Sequence, residues 1–516
     1  MPIWNFVRKS LYRDSLTLMR LTRDLESVPG VRRAAAMMGT PPNRTLLQDV
    51  GLLTQEGRTA SPNDLIIAIE ADDREAAQAG AAAVEAGLTM AGLAASTAPL
   101  ADRPRTLHSA RKSLAGANLA LISVPGLYAA FEAMQALQAG LHVMLFSDHV
   151  PIEAELELKR DALARGLLLM GPDCGTAIIN GIPLGFANAV ARGQIGLAAA
   201  SGTGLQEVSC LISAAGEGIS QAIGVGGRDL SDEIGGPMMD QALTVLAADP
   251  MTTVVAVLGK PPGPSTWRHL QERIARLGKP CVVHLAGIAP PERASWHMAA
   301  TLEDAAQAAV ALARGINPTP FEFTLPEDEI RRLVEDATHP MRPGQRFVRG
   351  IYAGGTLAYE ARSLLQTKLE RVATGVRGGG EGHRVVDLGD DIFTIGRPHP
   401  IIDGSVRREW LLREAQDPST AVLLLDVVLG YGAHPDPAGE LLPALQHAQR
   451  QAQAAGRHLA IVTSVCGTDR DQQRRSAQVQ ALESHGVIVM PSNAQAARLA
   501  TLIAARLGEG THNRSI

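Results

Sequence analysis

Six short turns combine glycine with hydroxyl, carboxylate, thiol or basic side chains. They are Gly171-Pro172-Asp173-Cys174-Gly175-Thr176, Ser201-Gly202-Thr203-Gly204, Gly226-Gly227-Arg228-Asp229, Gly354-Gly355-Thr356, Gly430-Tyr431-Gly432 and Cys466-Gly467-Thr468-Asp469. Each follows an apolar run of strand type. A turn that opens a helix aims backbone N–H groups outward, and a helix start carries about half a positive charge. Such a turn suits an anion, above all a phosphate. Glycine lets backbone approach a ligand closely, but it is also the ordinary residue of tight turns, so any single turn reads either way. Ser201, Gly202, Thr203 and Gly204 form the best cradle, with two hydroxyls and two glycines directly ahead of a helix. Gly354, Gly355 and Thr356 repeat that build.

Other residues suit other tasks. Arg228-Asp229, reached over Gly227, is either a local ion pair worth about 0–1 kcal/mol or an arginine fork for a carboxylate or phosphate. Cys174 would be thiolate-prone at a helix start. The preferred alternative makes Asp173 a turn cap and Cys174 a small buried filler. A polar, proline-locked stretch runs from Asp387-Leu388-Gly389-Asp390-Asp391 to Gly396-Arg397-Pro398-His399-Pro400. There Arg397 suits a carboxylate and His399 suits proton movement; the alternative is a structural loop capped by aspartates. His297 reads as packing or surface, and His142 and His284 lie inside strand patterns. Dinucleotide and P-loop glycine signatures do not occur in these turns.

The elements that must position these turns are strands and helices in alternation. Strand-type runs lie at 118–124, 142–146, 167–170, 195–200, 222–225, 253–258 and 281–285, then at 347–352, 422–429, 459–465 and 487–490. Intervening helical stretches imply right-handed βαβ crossovers and parallel sheets. In such sheets ligands bind beyond the carboxyl ends of the strands, where these turns fall. Residues 1–105 read differently: a helix over 11–26, strands at 31–38 and 64–70 and an Ala-rich helix over 73–86 form a small α+β domain, closed by a linker at 94–105. The other expected units are 106–190, 191–315 with five doubly wound strands, a connector at 316–345, and 346–510. Gly378-Gly379-Gly380 reads as a mobile surface loop. The strand–Ser201 turn–helix and strand–Gly354 turn–helix pieces form a weak internal repeat.

Composition narrows the function classes. The chain has 516 residues, 46% hydrophobic and 20% charged, which is globular. Its net charge of −5, without a basic run, argues against nucleic acid as a main partner. The four cysteines stand far apart, which argues against a metal site or disulfide framework and fits a reducing cytoplasm. No signal peptide or membrane span is read in the sequence.

Seven motifs fall in order along the chain: Met37-Met38-Gly39-Thr40-Pro41, Asn118–Val124, Met170–Thr176, Ala200–Gly204, Gly226–Asp229, Val386–Asp391 and Thr394–Pro400. Together they resemble the FdrA family, from about Lys9 to about Arg506. FdrA proteins are in turn similar to succinyl-CoA synthetase. That resemblance implies an α/β fold: a Rossmann-like domain of the CoA-binding type, two flavodoxin-like ligase domains and a small α+β N-terminal domain. Residues 115–315 are similar to the synthetase α subunit, and 346–510 to the C-terminal ligase domain of its β subunit. No ATP-grasp domain is evident. In the synthetase a Gly-His-Ala-Gly-Ala loop carries a phosphohistidine; His297 falls near that place, with the flanking glycines replaced. Its two phosphate-holding helix starts correspond to Ser201–Gly204 and Gly354–Thr356.

The resemblance implies a subunit of an oxamate carbamoyltransferase, working with two further subunits. That enzyme exchanges oxalurate and phosphate for oxamate and carbamoyl phosphate in allantoin breakdown. On this reading the chain needs no cofactor of its own, and phosphate or carbamoyl phosphate is substrate. The two glycine-turn helix starts hold phosphate, Arg228 or Arg397 pairs the carboxylate, and His399, Asp173 or Asp229 moves or orients a proton. One alternative is an NDP-forming acyl-CoA ligase subunit, with CoA in the 115–190 region. Another is a non-catalytic scaffold. A homo-oligomer is compatible with each.

Overall fold

The computed structural model describes the whole chain except Met1, Tyr12, Asp14, Ser27 and residues 95–103, 289–293, 375–381, 395–397 and 513–516. Most of the expected linker, the Gly378–Gly380 loop and Arg397 lie outside the described residues. By contacts the chain divides into two compact units, residues 1–115 with 394–398 and all the rest. Among the described residues no helix is long and apolar enough to cross a membrane.

The first unit runs β1 (Ile3–Arg8), α1 (Ser15–Glu26), β2 (Val31–Met38), α2 (Pro41–Asp49), α3 (Gln55–Arg58), β3 (Leu65–Ala71), α4 (Arg74–Ala94) and α5 (Leu107–Ser113). Its sheet has the order β1-β3-β2, antiparallel throughout. The central strand is buried on both faces by alternation. Leu65, Ile67 and Ile69 pack with Leu18, Leu21 and Leu25 of α1 and Ala77, Ala81 and Val84 of α4. Ile66 and Ala68 pack on the opposite side with Leu47 and Leu52. This is a split βαβ arrangement. The sequence reading placed α1, α4 and two of its strands and missed the short helices α2, α3 and α5 and the strand β1, whose six residues precede any turn signal.

In the second unit, β4 (Leu119–Ile122), α6 (Gly126–Gln138), β5 (His142–Leu145), α7 (Ile152–Ala164) and β6 (Leu169–Met170) make a parallel sheet of three strands, order β4-β5-β6. Next come β7 (Thr176–Ile179), β8 (Ile182–Gly185), β9 (Arg192–Ala200), α8 (Gly202–Ala214), β10 (Ile219–Gly224), α9 (Pro237–Ala248), β11 (Val254–Gly259), α10 (Pro264–Ala275), β12 (Cys281–Leu285), β13 (His297–Met298) and α11 (Leu302–Ala313). They build a sheet of order β13-β12-β11-β9-β10-β7-β8. The hairpin β7–β8 lies before the expected break at 190, yet it pairs antiparallel to β10. It belongs to the second sheet because its backbone completes that edge.

The expected connector holds a helix, α12 (Glu327–Thr338). Three acidic residues in its first turn complement the helix dipole. Ile330, Val334 and Ala337 give it one buried face. The last domain runs β14 (Phe347–Tyr352), α13 (Gly355–Gln366), β15 (Val372–Thr374), β16 (His383–Asp387), α14 (Asp391–Thr394), α15 (Ser405–Gln416), β17 (Thr420–Val428), α16 (Pro437–Ala454), β18 (Ala460–Cys466), α17 (Arg475–Glu483), β19 (Ile488–Met490) and α18 (Asn493–His512). Its parallel sheet has the order β15-β16-β14-β17-β18-β19. Every residue of β14 and β17 is buried, as expected of parallel strands covered by helices on both faces.

Leaving aside the hairpin and β15, both large sheets have the flavodoxin order 2-1-3-4-5. The two domains also cap each other's helices. Glu207 of α8 accepts the N–H of Asn493 at the start of α18. Glu360 of α13 accepts the N–H of Leu302 at the start of α11. Burial raises Glu207, and pushes Glu360 up to about 7. The internal repeat is therefore present in the packing as well as in the chain.

A buried ion cluster ties the three-stranded sheet to its neighbour. Lys159 of α7, fully buried, lies 2.8 Å from Glu155 and 2.8 Å from Asp229. Replacing it with methionine leaves two buried carboxylates short of a cation. Lys159→Met is expected to lower stability by about 3–5 kcal/mol, measured by urea denaturation at constant m-value; a loss near zero would show that the cluster stabilises nothing.

Candidate functional site

The site is built where α8 and α13 begin. Ser201 ends β9 in extended conformation, and its Oγ accepts the Gly204 N–H at 2.9 Å. This is a standard N-cap. The same Oγ lies 2.6 Å from Thr356 Oγ1 in the first turn of α13. Two helix starts thus meet through a hydroxyl–hydroxyl bond. The contact needs small residues: a Cβ on Gly204 would stand 2.4 Å from Ser201 Oγ and 3.3 Å from Thr356 Cγ2. A Cβ on Gly354 would stand 3.0 Å from Thr203 Cγ2. The N–H groups of Gly202, Thr203, Gly355 and Thr356 find no acceptor among the described residues. The Gly354 N–H differs: Asp426 accepts it at 2.7 Å and the Ala353 N–H at 2.9 Å. Burial raises Asp426, opposed by Arg407 at 3.0 Å. Gly354 therefore shapes the contact, while its own N–H is already satisfied.

Acidic and basic groups rim these helix starts. Asp387, at the end of β16, places Oδ2 2.5 Å from where a Gly355 Cβ would sit. Burial pushes Asp387 up to about 6. Asp173 adopts a left-handed conformation with φ 55°. Crowding by protein, helped by Asp148, pushes its carboxyl up to about 6, although its surface stays open to solvent. Gly227 lies against it, its Cβ position 3.6 Å from Asp173 Oδ2. Lys260, directly after β11, brings Nζ to 3.7 Å from the Gly355 Cβ position. Its charge holds down both Asp173 and Asp387. The sequence reading assigned Lys260 no role.

The expected roles divide as follows. His399 accepts the Ile401 N–H on Nδ1 at 3.2 Å, and burial pushes it down to about 4. A neutral imidazole of that kind holds its loop and is a poor base near neutrality, which corrects the proton-shuttle expectation. Arg228 does not pair with Asp229; it reaches Glu155 and the Val150 carbonyl, both at 2.7 Å. Asp229 is fully buried, binds Lys159 and accepts the Met238 and Met239 N–H groups at the start of α9. Asp229 is therefore structural and not free to move a proton, while Arg228 stays exposed and commits only Nη2 to its two partners. Cys174 precedes a hairpin instead of a helix, and burial pushes its thiol up to about 12. Filler is its role. His297 stands in the two-residue edge strand β13, opposite Val282. Asp148, His149 and Asp391, all exposed, lie close enough to share an ion.

Two family models match the chain: CoA-ligase over residues 351–503, and the AllF heavy metal-associated domain over residues 1–102. Residues 1–102 contain no cysteine. The chain is 40% identical over 507 residues to the uncharacterized protein YahF of Escherichia coli K12, covering 96% of this chain and 97% of that one. It is 27% identical over 200 residues to the ADP-forming sulfoacetate-CoA ligase subunit SauD of Bilophila wadsworthia, 36% of this chain and 65% of that one. It is 32% identical over 194 residues to a mitochondrial ADP-forming succinate–CoA ligase subunit alpha-2 of Trichomonas vaginalis, 36% and 61% of the two chains.

Because the helix starts touch through glycine, Gly204→Ala must push them apart. It is expected to cost about 1–3 kcal/mol and to weaken inorganic phosphate binding, read by thermal unfolding and calorimetry. Unchanged phosphate affinity would remove the paired helix starts as the anion site.

Proposed function

Since the chain belongs to the family of Escherichia coli YahF, with an AllF-type N-terminal domain and a CoA-ligase domain, we propose that it transfers a carbamoyl group to and from phosphate. The reaction is that of an oxamate carbamoyltransferase, and the chain works as one subunit beside two others. The observation that carries this reading is the pair of abutting helix starts with unsatisfied N–H groups, rimmed by Asp173, Asp387 and Lys260. Phosphate binds at those N–H groups. One phosphate oxygen bonds to the ureido carbonyl carbon of oxalurate. The bond from that carbon to the oxamate nitrogen breaks, and the phosphate proton passes to that nitrogen. The products are carbamoyl phosphate and oxamate, balanced without nucleotide or oxidant.

The chain's own groups have defined tasks on this reading. Preorganised N–H donors stabilise the carbonyl oxygen as charge develops. Asp173 relays the proton, since a carboxyl pushed up to about 6 exchanges protons near neutrality. The position of His297 in an edge strand favours direct transfer over a phosphohistidine. A second reading, an NDP-forming acyl-CoA ligase subunit, is favoured by the CoA-ligase match and by the similarity to ligase subunits. Calorimetric CoA binding separates the two.

The direct test mixes the chain, alone and with its partner subunits, with oxalurate and phosphate, and follows carbamoyl phosphate through carbamate kinase. Phosphate-dependent product is expected; none from the complete set rejects the carbamoyl reading. Asp173 acts as a base only when deprotonated. Activity should therefore rise with pH through about 6, and Asp173→Asn should flatten that limb and lower kcat by on the order of 10²-fold or more.

A further inference from the structure

Lys260 stands where two observations converge. The first is topological. In a flavodoxin-ordered sheet the ligand crevice opens between strands 1 and 3, where successive connections leave to opposite faces. In the first ligase domain those strands are β9 and β11, paired up to Ala200 and Gly259. Ser201 and Lys260 are the next residue of each. The strand ends thus deliver the N-cap of α8 and an ammonium to the two sides of one crevice. Pro261-Pro262 follows at once and restricts the backbone after Lys260.

The second observation is local. The Lys260 side chain crosses from its own domain to the first residue of α13, with Nζ 3.7 Å from the Gly355 Cβ position. It has no ion pair or hydrogen bond among the described residues. Two neighbouring basic groups differ in being ion-paired: Arg228 through Nη2 with Glu155, and the buried Arg407 with Asp426. Asp173, from the loop after β6, and Asp387, from the end of β16, both feel its charge without closing on it. An unpaired ammonium beside unsatisfied N–H groups completes a set of donors for a multiply charged oxyanion.

We propose that Lys260 contacts the substrate, binding the phosphoryl oxygens of phosphate and carbamoyl phosphate over the α13 start and so selecting a phosphorylated partner for the transfer. This rests on the phosphate-transfer reading above. The ammonium neutralises charge that the N–H groups alone leave uncompensated between Asp173 and Asp387. It also brings a residue of the first ligase domain to the helix start of the second, so the reaction requires both domains together.

The test uses the full chain, with its partner subunits where activity needs them, as wild type, Lys260→Met and Lys260→Arg. Inorganic phosphate and carbamoyl phosphate are the probes in calorimetry, and KM is measured separately for phosphate and for oxalurate. Lys260→Met is expected to weaken both probes and raise the phosphate KM on the order of tenfold or more. The oxalurate KM should be little changed, and the thermal midpoint unaltered because Lys260 is exposed. Lys260→Arg should recover part of the loss. Wild-type phosphate binding retained in full by Lys260→Met would overturn the Lys260 assignment and leave the transfer reading standing. A wild type that neither binds phosphate nor makes carbamoyl phosphate would overturn the transfer reading, and this assignment with it.

Discussion

Two helix starts meet head to head, and the second unit is organised around making that meeting tolerable. Each start carries about half a positive charge, so bringing α8 and α13 together is unfavourable by itself. The Ser201–Thr356 hydroxyl bond fixes the approach at 2.6 Å, and Gly204 and Gly354 give it room. Asp426, anchored by Arg407, takes two N–H groups of one start. Asp387 lies across the same start. The remaining N–H groups find no acceptor among the described residues, the local condition that anion binding requires.

The far side of the same two helices shows how the domains are held. Glu207 and Glu360 sit at matching places along α8 and α13, and each caps a helix of the opposite domain. Each carboxylate adds a cap from across the interface to a helix that its own domain also caps, through Thr301 and Asp304 in α11 and Ser492 in α18. Buried carboxylates in such positions need their hydrogen bonds. Asn493 supplies a second one to Glu360 at 2.7 Å. The shared interface and the meeting of the two helix starts are therefore two ends of one construction.

Around the anion site, protein crowding sets proton affinity. Asp173 and Asp387 are pushed up to about 6, and His399 is pushed down to about 4. All three shifts have the same first cause, loss of water around an ionised form. The cleft consequently holds its histidine neutral and keeps two carboxyls near the edge of protonation. Carboxyl chemistry, with an ammonium nearby, is what the surroundings favour.

Much of the architecture was legible in the residues. Val31–Met38, Cys281–Leu285 and Phe347–Tyr352 are strands with the boundaries their patterns imply, the last two because short, largely apolar runs ended by turn or polar residues suit a buried parallel strand. The glycine turns at Ser201 and Gly354 do open helices, since a strand-to-helix turn needs that chemistry locally. Tertiary structure alone decided the rest. The internal repeat and the family resemblance pair the Ser201 and Gly354 turns, but the direct bond between Ser201 and Thr356, 155 positions apart, is set only by packing. Arg228 and Asp229 read either as a local ion pair or as an arginine fork; instead each pairs with a residue of α7, Arg228 with Glu155 and the buried Asp229 with Lys159. Lys260 carried no motif, and its place above Gly355 exists only once two sheets have docked. Local chain chemistry sets strands, turns and caps; which charges face one another, and how far water is excluded from them, is set by packing between distant segments.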